Sequence, residues 1–70
     1  MEFEIWLSRE RTGSTEIVTR ESINGLAAVI ELGAYYQALG YKYILIGHKE
    51  EMPGKIVWGY WDGREILNLH

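Results

Sequence analysis

His48 is the first residue to weigh for chemistry, because Glu50 and Glu51 follow it closely and an imidazole near carboxylates is the minimal equipment for proton transfer. The plainer assignment is a histidine at a strand end beside an acidic turn that stays in water. Ser14 and Thr15 follow Gly13 in "RTGST", yet the segment has neither the glycine spacing nor the lysine of a phosphate-binding loop, so it reads as a turn. The chain has no cysteine, which removes disulfides and thiolate metal ligands together. The two histidines, His48 and His70, are far apart and lack metal-ligand spacing. No nucleophile is matched to a base. The residues therefore indicate a non-enzymatic protein with no cofactor and no metal.

A second group has binding chemistry. In "IVWGYWDGRE" (residues 56–65), Trp58, Tyr60 and Trp61 fall within four positions. Lys42, Lys55, Arg64 and His48 are the cations that pairing of the neighbouring strands would bring near Trp61. An aromatic platform with cations is what stacking of a base or another planar ligand requires. The cations are few, however, and the charge of −3 is uneven: residues 1–31 hold six Glu against three Arg, and the rest balance to zero. Duplex nucleic acid needs a dense basic surface. Single-strand or nucleotide binding at Trp61 is thus the lesser alternative to a protein partner.

The elements that must position these groups follow from periodicity. "MEFEIWLSRE" alternates Phe3, Ile5 and Leu7 with Glu2, Glu4, Trp6 and Ser8, the period-2 pattern of a half-buried strand. "EIVTR" after the Gly13 turn is its return strand, which gives a hairpin over 2–9 and 15–20. Residues 23–39 contain no proline and predict the sole helix, with Ser22 as N-cap and Gly40 as the left-handed residue past its end. Strands follow over 41–49, 55–61 and 64–69. Met52-Pro53-Gly54-Lys55 suits a type II turn, and Asp62-Gly63 is a strong two-residue hairpin signal. The expected fold class is α+β: ββαβββ, an antiparallel sheet with a single helix packed on one face, in a single domain spanning 1–70.

Turn lengths then assign faces. A two-residue loop at Asp62-Gly63, with an even-length loop at Pro53-Gly54, puts Tyr41, Tyr43, Leu45, Ile56, Trp58, Tyr60, Leu67 and Leu69 on one face. Trp58 and Tyr60 then belong to the core. Ile44, Ile46, Val57, Trp61 and Ile66 fall on the other face, rimmed by Lys42, Lys55, Arg64 and His48, and Trp6 can join Trp61 there. An odd-length loop would exchange the faces of strand 41–49, because a one-residue slip inverts every side chain.

The helix is apolar nearly all round. Ile23, Leu26, Ala27, Ile30 and Ala34 form one stripe, and Ala28, Leu32 and Leu39 point nearly opposite. Such a helix is usually covered on more than one side, and one sheet covers only one. Gly25, Ala28 and Gly33 would admit a neighbouring backbone. Apolar surface in excess of what a thin two-layer domain can hide marks an association site. The interface candidates are Leu32, Leu39, Ala28, Ile44, Ile46, Val57, Trp61 and Ile66. The expected role is a protein-binding module that forms a homo-oligomer, binds another protein, or both, and acts as a small regulator or inhibitor. The longest apolar stretch is broken by Glu31 and falls short of the ~20 residues that span a bilayer, and no leader opens the chain, so a cytoplasmic location without membrane contact is expected.

Overall fold

The computed structural model describes residues 2–68. Five strands and one helix follow in the order β1 (Phe3–Ser8), β2 (Glu16–Arg20), α1 (Gly25–Ala38), β3 (Tyr43–His48), β4 (Trp58–Trp61) and β5 (Arg64–Leu67). The strands form one antiparallel sheet in the order β2-β1-β3-β4-β5. This is the expected α+β fold with ββαβββ order. α1 carries the chain from the edge strand β2 across to β3 and packs against β3 and β4. Leu69, assigned by pattern to the core face, and His70 lie outside the described residues.

Two turns behave as their residues dictate. Asp62 and Gly63 both take positive φ, 45° and 91°, as a type I′ hairpin turn requires, and Trp61 pairs with Arg64 as expected. At the end of α1, Gly40 adopts φ 95°. Its N–H donates to the Gln37 carbonyl at 2.9 Å and that of Tyr41 to the Tyr36 carbonyl at 3.2 Å, the paired bonds of a Schellman motif.

The helix start differs from expectation. α1 begins at Gly25, not Ile23, and Ser22 is not its cap. Asn24 holds that position without a side-chain cap bond. Gly25 turns the chain at φ 85°, with its N–H on the Ile23 carbonyl at 3.1 Å, and the turn leaves Ile23 packed against the core. The buried stripe differs too. Val29 and Gly33 are buried, flanked by half-buried Leu26, Leu32 and Tyr36, while Ala27, Ile30 and Ala34 face outward. The cause is Trp58. Its indole lies against the helix at Gly33, where a Cβ would overlap Cη2 and Cζ3. The close neighbour that Gly33 admits is this ring, not another backbone.

The connection between β3 and β4 corrects the face assignment. Residues 49–57 are odd in number. They form a 3₁₀ turn (Lys49–Glu51), a cis Met52–Pro53 bond and a bond from Lys55 N–H to the Glu51 carbonyl at 2.9 Å, in place of the type II turn. Ile44 therefore pairs with Tyr60 and Ile46 with Trp58. Tyr43 and Leu45 lie on the face away from the helix, and Ile44, Ile46 and His48 on the face toward it. The core runs as a row across the strands, Val18–Ile5–Ile46–Trp58, beside Leu7–Ile44–Tyr60 and Phe3–His48; Leu67, expected on this face, pairs with Trp58 but stays exposed. Trp58 and Tyr60 are on the core side as expected. Ile44 and Ile46, expected at an interface, are fully buried at 0 % exposure.

A candidate binding surface on the open face of the sheet

Among the described residues no helix or second sheet covers the face of the sheet opposite α1. An antiparallel sheet open on one side normally presents polar residues there. Here the register lines up Ile17, Trp6, Leu45, Gly59 and Ile66 as one row that crosses all five strands. The next row is Ser8, Tyr43, Trp61 and Arg64. Ile17 is 55 % exposed, Trp61 46 % and Ile66 42 %, while Trp6 and Leu45 are half-buried. The result is an apolar band with aromatic rings at its centre.

The local sequence fixes those rings. The type I′ turn tightens β4 against β5 and sets Trp61 next to Arg64. Tyr43 meets Trp61 edge to face, with ring centroids 4.7 Å apart, an attractive geometry for aromatic quadrupoles. Trp6 donates its indole N–H to Glu4 Oε1 at 2.6 Å, which orients the ring on its own strand. Gly59, with no side chain, leaves the middle of the row open to Leu45 and Ile56 at 3.1 and 3.3 Å from where a Cβ would sit. At the other end the 49–57 connection folds onto the same face, with Met52 Sδ and the Lys55 carbonyl occupying the space a Cβ on Gly47 would need. The band is thus capped at one end and open at the other.

The open end holds a cavity of about 120 Å³ lined by Trp6, Tyr43, Leu45 and Trp61, with Glu10 and Arg11 contributed by the loop between β1 and β2. Clefts for drug-sized ligands run to roughly 300–1,000 Å³. This one fits a single side chain or a small ring. Its rim carries an acid and a base together, which recommends no strongly charged ligand.

The interface candidates separate on this geometry. Trp61 and Ile66 are brought together on the open face, as expected, and Trp6 joins them. Leu39 is exposed at the end of α1, on the helix and apart from the open face of the sheet. Ala28 and Leu32 are half-buried along a groove between α1 and β2 that Arg20, Glu31 and Tyr35 complete. Val57 packs against the core. Ile44 and Ile46 drop out. Periodicity alone missed Ile17, Tyr43 and Leu45. The alternation of "YKYILIGH" contains the signal, but its phase depends on the 49–57 connection.

The cations proposed for stacking are dispersed. Arg64 shares the face of Trp61. His48 lies across the sheet from it, against Phe3 at 4.4 Å between ring centroids. Lys55 sits in the connection over Gly47. Lys42 precedes β3, its carbonyl accepting the Asp62 N–H at 3.0 Å. Proton transfer at His48 gains nothing either: its Nδ1 is buried without a hydrogen-bond partner, while Glu50 and Glu51 stand exposed in the 3₁₀ turn.

A second polar cluster closes the neighbouring end of the sheet. Tyr41 donates its hydroxyl to Glu16 Oε2 at 2.7 Å. The Arg9 guanidinium stacks 4.2 Å over the Tyr41 ring and donates to the Leu39 carbonyl at 2.6 Å. The bond to Glu16 holds the Tyr41 phenol above its ordinary value, with desolvation and the Glu16 charge acting in the same direction and Arg9 opposing them. Among the described residues no group of three or more His, Asp or Glu is placed to hold a metal ion, and no helix is long and apolar enough to cross a membrane. Comparison with known proteins returns no matching family model, no matching curated protein and no matching solved structure.

Proposed function

We propose that this chain is a small non-enzymatic protein-binding module that self-associates and regulates or inhibits a larger protein in the cytoplasm. The observation that supports it is the row Ile17–Trp6–Leu45–Gly59–Ile66, flanked by Tyr43 and Trp61, on a sheet face that no helix or second sheet covers among the described residues. Aromatic residues concentrated on an exposed patch are the usual anchors of protein interfaces. The 120 Å³ cavity gives one partner side chain a seat. The net acidic first part of the chain, residues 1–31 with six Glu against three Arg, would steer the module toward a basic partner.

Sedimentation at micromolar concentration, with binding of the dye ANS, tests this. Association or dye binding that Trp61→Ala and Ile66→Ser each reduce is the expected result. A clean monomer that binds no dye overturns it. Leu39→Glu reports on the helix surface separately, whereas Leu32→Glu would disturb the core against which Leu32 packs.

A second reading is stacking of a nucleotide or short single strand on Trp61, for which the Trp61–Arg64 pair is the favourable feature. It requires salt-sensitive quenching of tryptophan fluorescence that Trp61→Phe abolishes. No quenching at low salt removes it.

A further inference from the structure

The sheet ends on one side at β2, a strand exposed along its length except for half-buried Val18. Unpaired edges are normally blunted by proline, a bulge or inward-pointing charge; "EIVTR" has no proline and pairs residue for residue with β1, and its only such device is the charge of Glu16 and Arg20. Glu16, Val18 and Arg20 oppose Leu7, Ile5 and Phe3 and so point to the helix face, while Ile17 and Thr19 point to the open face.

We infer that β2 is a dimerisation strand, pairing antiparallel with β2 of a second copy about a twofold axis through Val18. The inference rests on the reading of the chain as a self-associating module and names the edge responsible. Its basis is charge complementarity. In that register Glu16 stands opposite Arg20 of the second copy, and Arg20 opposite Glu16, while Val18 meets Val18 on the same face. Ile17 meets Thr19 on the other face. Each glutamate–arginine contact occurs twice by symmetry. The alternatives centred on Glu16 or on Arg20 set like charges face to face, which is unfavourable directly across a strand pair, and those centred on Ile17 or Thr19 set Glu16 or Arg20 opposite Val18 and form no charge pair within the strand.

Two further observations suit this occupant. Arg20 makes no ion pair among the described residues, so its charge is available. Glu16 is pre-oriented, since Tyr41 engages Oε2 at 2.7 Å and leaves Oε1 for a second donor. The opposite edge, β5, offers no equivalent: Arg64 and Glu65 are adjacent and project to opposite faces, so they cannot meet across an antiparallel pairing. The groove of α1 against β2, between Leu32, Tyr35 and Arg20, opens onto the same edge. A five-residue contact is small, so the dimer belongs to the class of weak interfaces below about 1,200 Å².

The test is a charge exchange read by sedimentation equilibrium on the full chain. Arg20→Glu alone and Glu16→Arg alone each weaken the wild-type dimer by about tenfold or more, because both symmetric contacts become like-charged. An equimolar mixture of the two variants restores association, since one now carries Glu at both positions and the other Arg. The mixture also guards against misfolding, because a chain that failed to fold would not be rescued. Single variants that dimerise like the wild type, or a mixture that does not associate, overturn the inference. If those variants still dimerise and Trp61→Ala does not, the open face carries self-association and the proposed function survives without this edge. A wild-type chain that stays monomeric defeats the inference, and one that also binds no ANS defeats the proposed function with it.

Discussion

Gly33→Ala should destabilise this protein although alanine is the better helix former. Gly33 lies in the middle of α1, and replacing glycine there would ordinarily gain about 1 kcal/mol of helix propensity. The new Cβ, however, would overlap Trp58 Cη2 and Cζ3 and stand 2.8 Å from Cε3. Ordinary carbon–carbon contacts begin near 3.5 Å, so the indole would have to retreat by roughly 1 Å. Its freedom to move is small, because Trp58 is among the largest fully buried side chains and its neighbour Ile46 on β3 is fully enclosed. Overpacking of a rigid core costs about 1–3 kcal/mol. With three ring atoms involved, the upper figure applies, and the net loss is about 2 kcal/mol. For a domain of this size that lowers Tm by roughly 8–16 °C. Thermal and urea unfolding followed by circular dichroism would measure it. Trp58→Phe withdraws the outer edge of the ring, so the double variant should recover part of the loss, with a coupling of roughly 1 kcal/mol or more across the cycle. A Gly33→Ala protein as stable as the parent, or more so, would refute the packing of Trp58 onto the helix backbone.

Ile46→Ala should cost about 2–5 kcal/mol as a buried large-to-small change, against under about 1 kcal/mol for Ile66→Ala on the open face, in the same unfolding experiments; similar costs would contradict the observed register. Tyr41 supplies the pH dependence. Its folded value is raised by the Glu16 bond, so the stability this bond contributes is fully present below the unfolded tyrosine value of about 10 and is lost as pH climbs through the folded one. Glu16→Gln should lower the Tyr41 midpoint in an absorbance titration of the phenolates and weaken the decline of stability in that alkaline range. An unchanged midpoint would dissociate Tyr41 from Glu16.

The elements were legible because local signals and tertiary packing agree over most of the chain. Alternation in "FEIWLS" gave β1 its buried Phe3, Ile5 and Leu7, and Asp62-Gly63 fixed the last hairpin. Gly40 closed the helix where a left-handed residue was needed. The helix start was less legible because Ser22 and Gly25 both offer turn chemistry and a local cap preference does not decide between them. Burial of Ile23 does, and that is a long-range fact.

The site was half legible, and the missing half turns on one connection. "YILIGH" has large apolar residues in both phases, so its composition cannot choose a face. What chooses is the odd length of residues 49–57 and the contacts that this path demands. Gly47 must be bare for Met52 and Lys55 to fold over it, and Gly33 must be bare for Trp58 to reach the helix. Once those two glycines are matched to their neighbours, Ile44 and Ile46 have to point inward, and Tyr43 and Leu45 have to point out. That same choice lines Trp6, Tyr43 and Trp61 along one cavity and completes the apolar band. The band is therefore a direct consequence of core packing: keeping Trp58 against Gly33, with the 49–57 connection intact, sends Tyr43 and Leu45 to the face away from the helix, where Tyr43 is buried against Trp61 and Leu45 is half-buried. A sequence selected only for a stable two-layer fold could place threonine or lysine at exposed Ile17 and Ile66 at little cost to the core, because these side chains lie on the face the helix does not cover. That they are apolar is the strongest reason to look for a molecule that covers them.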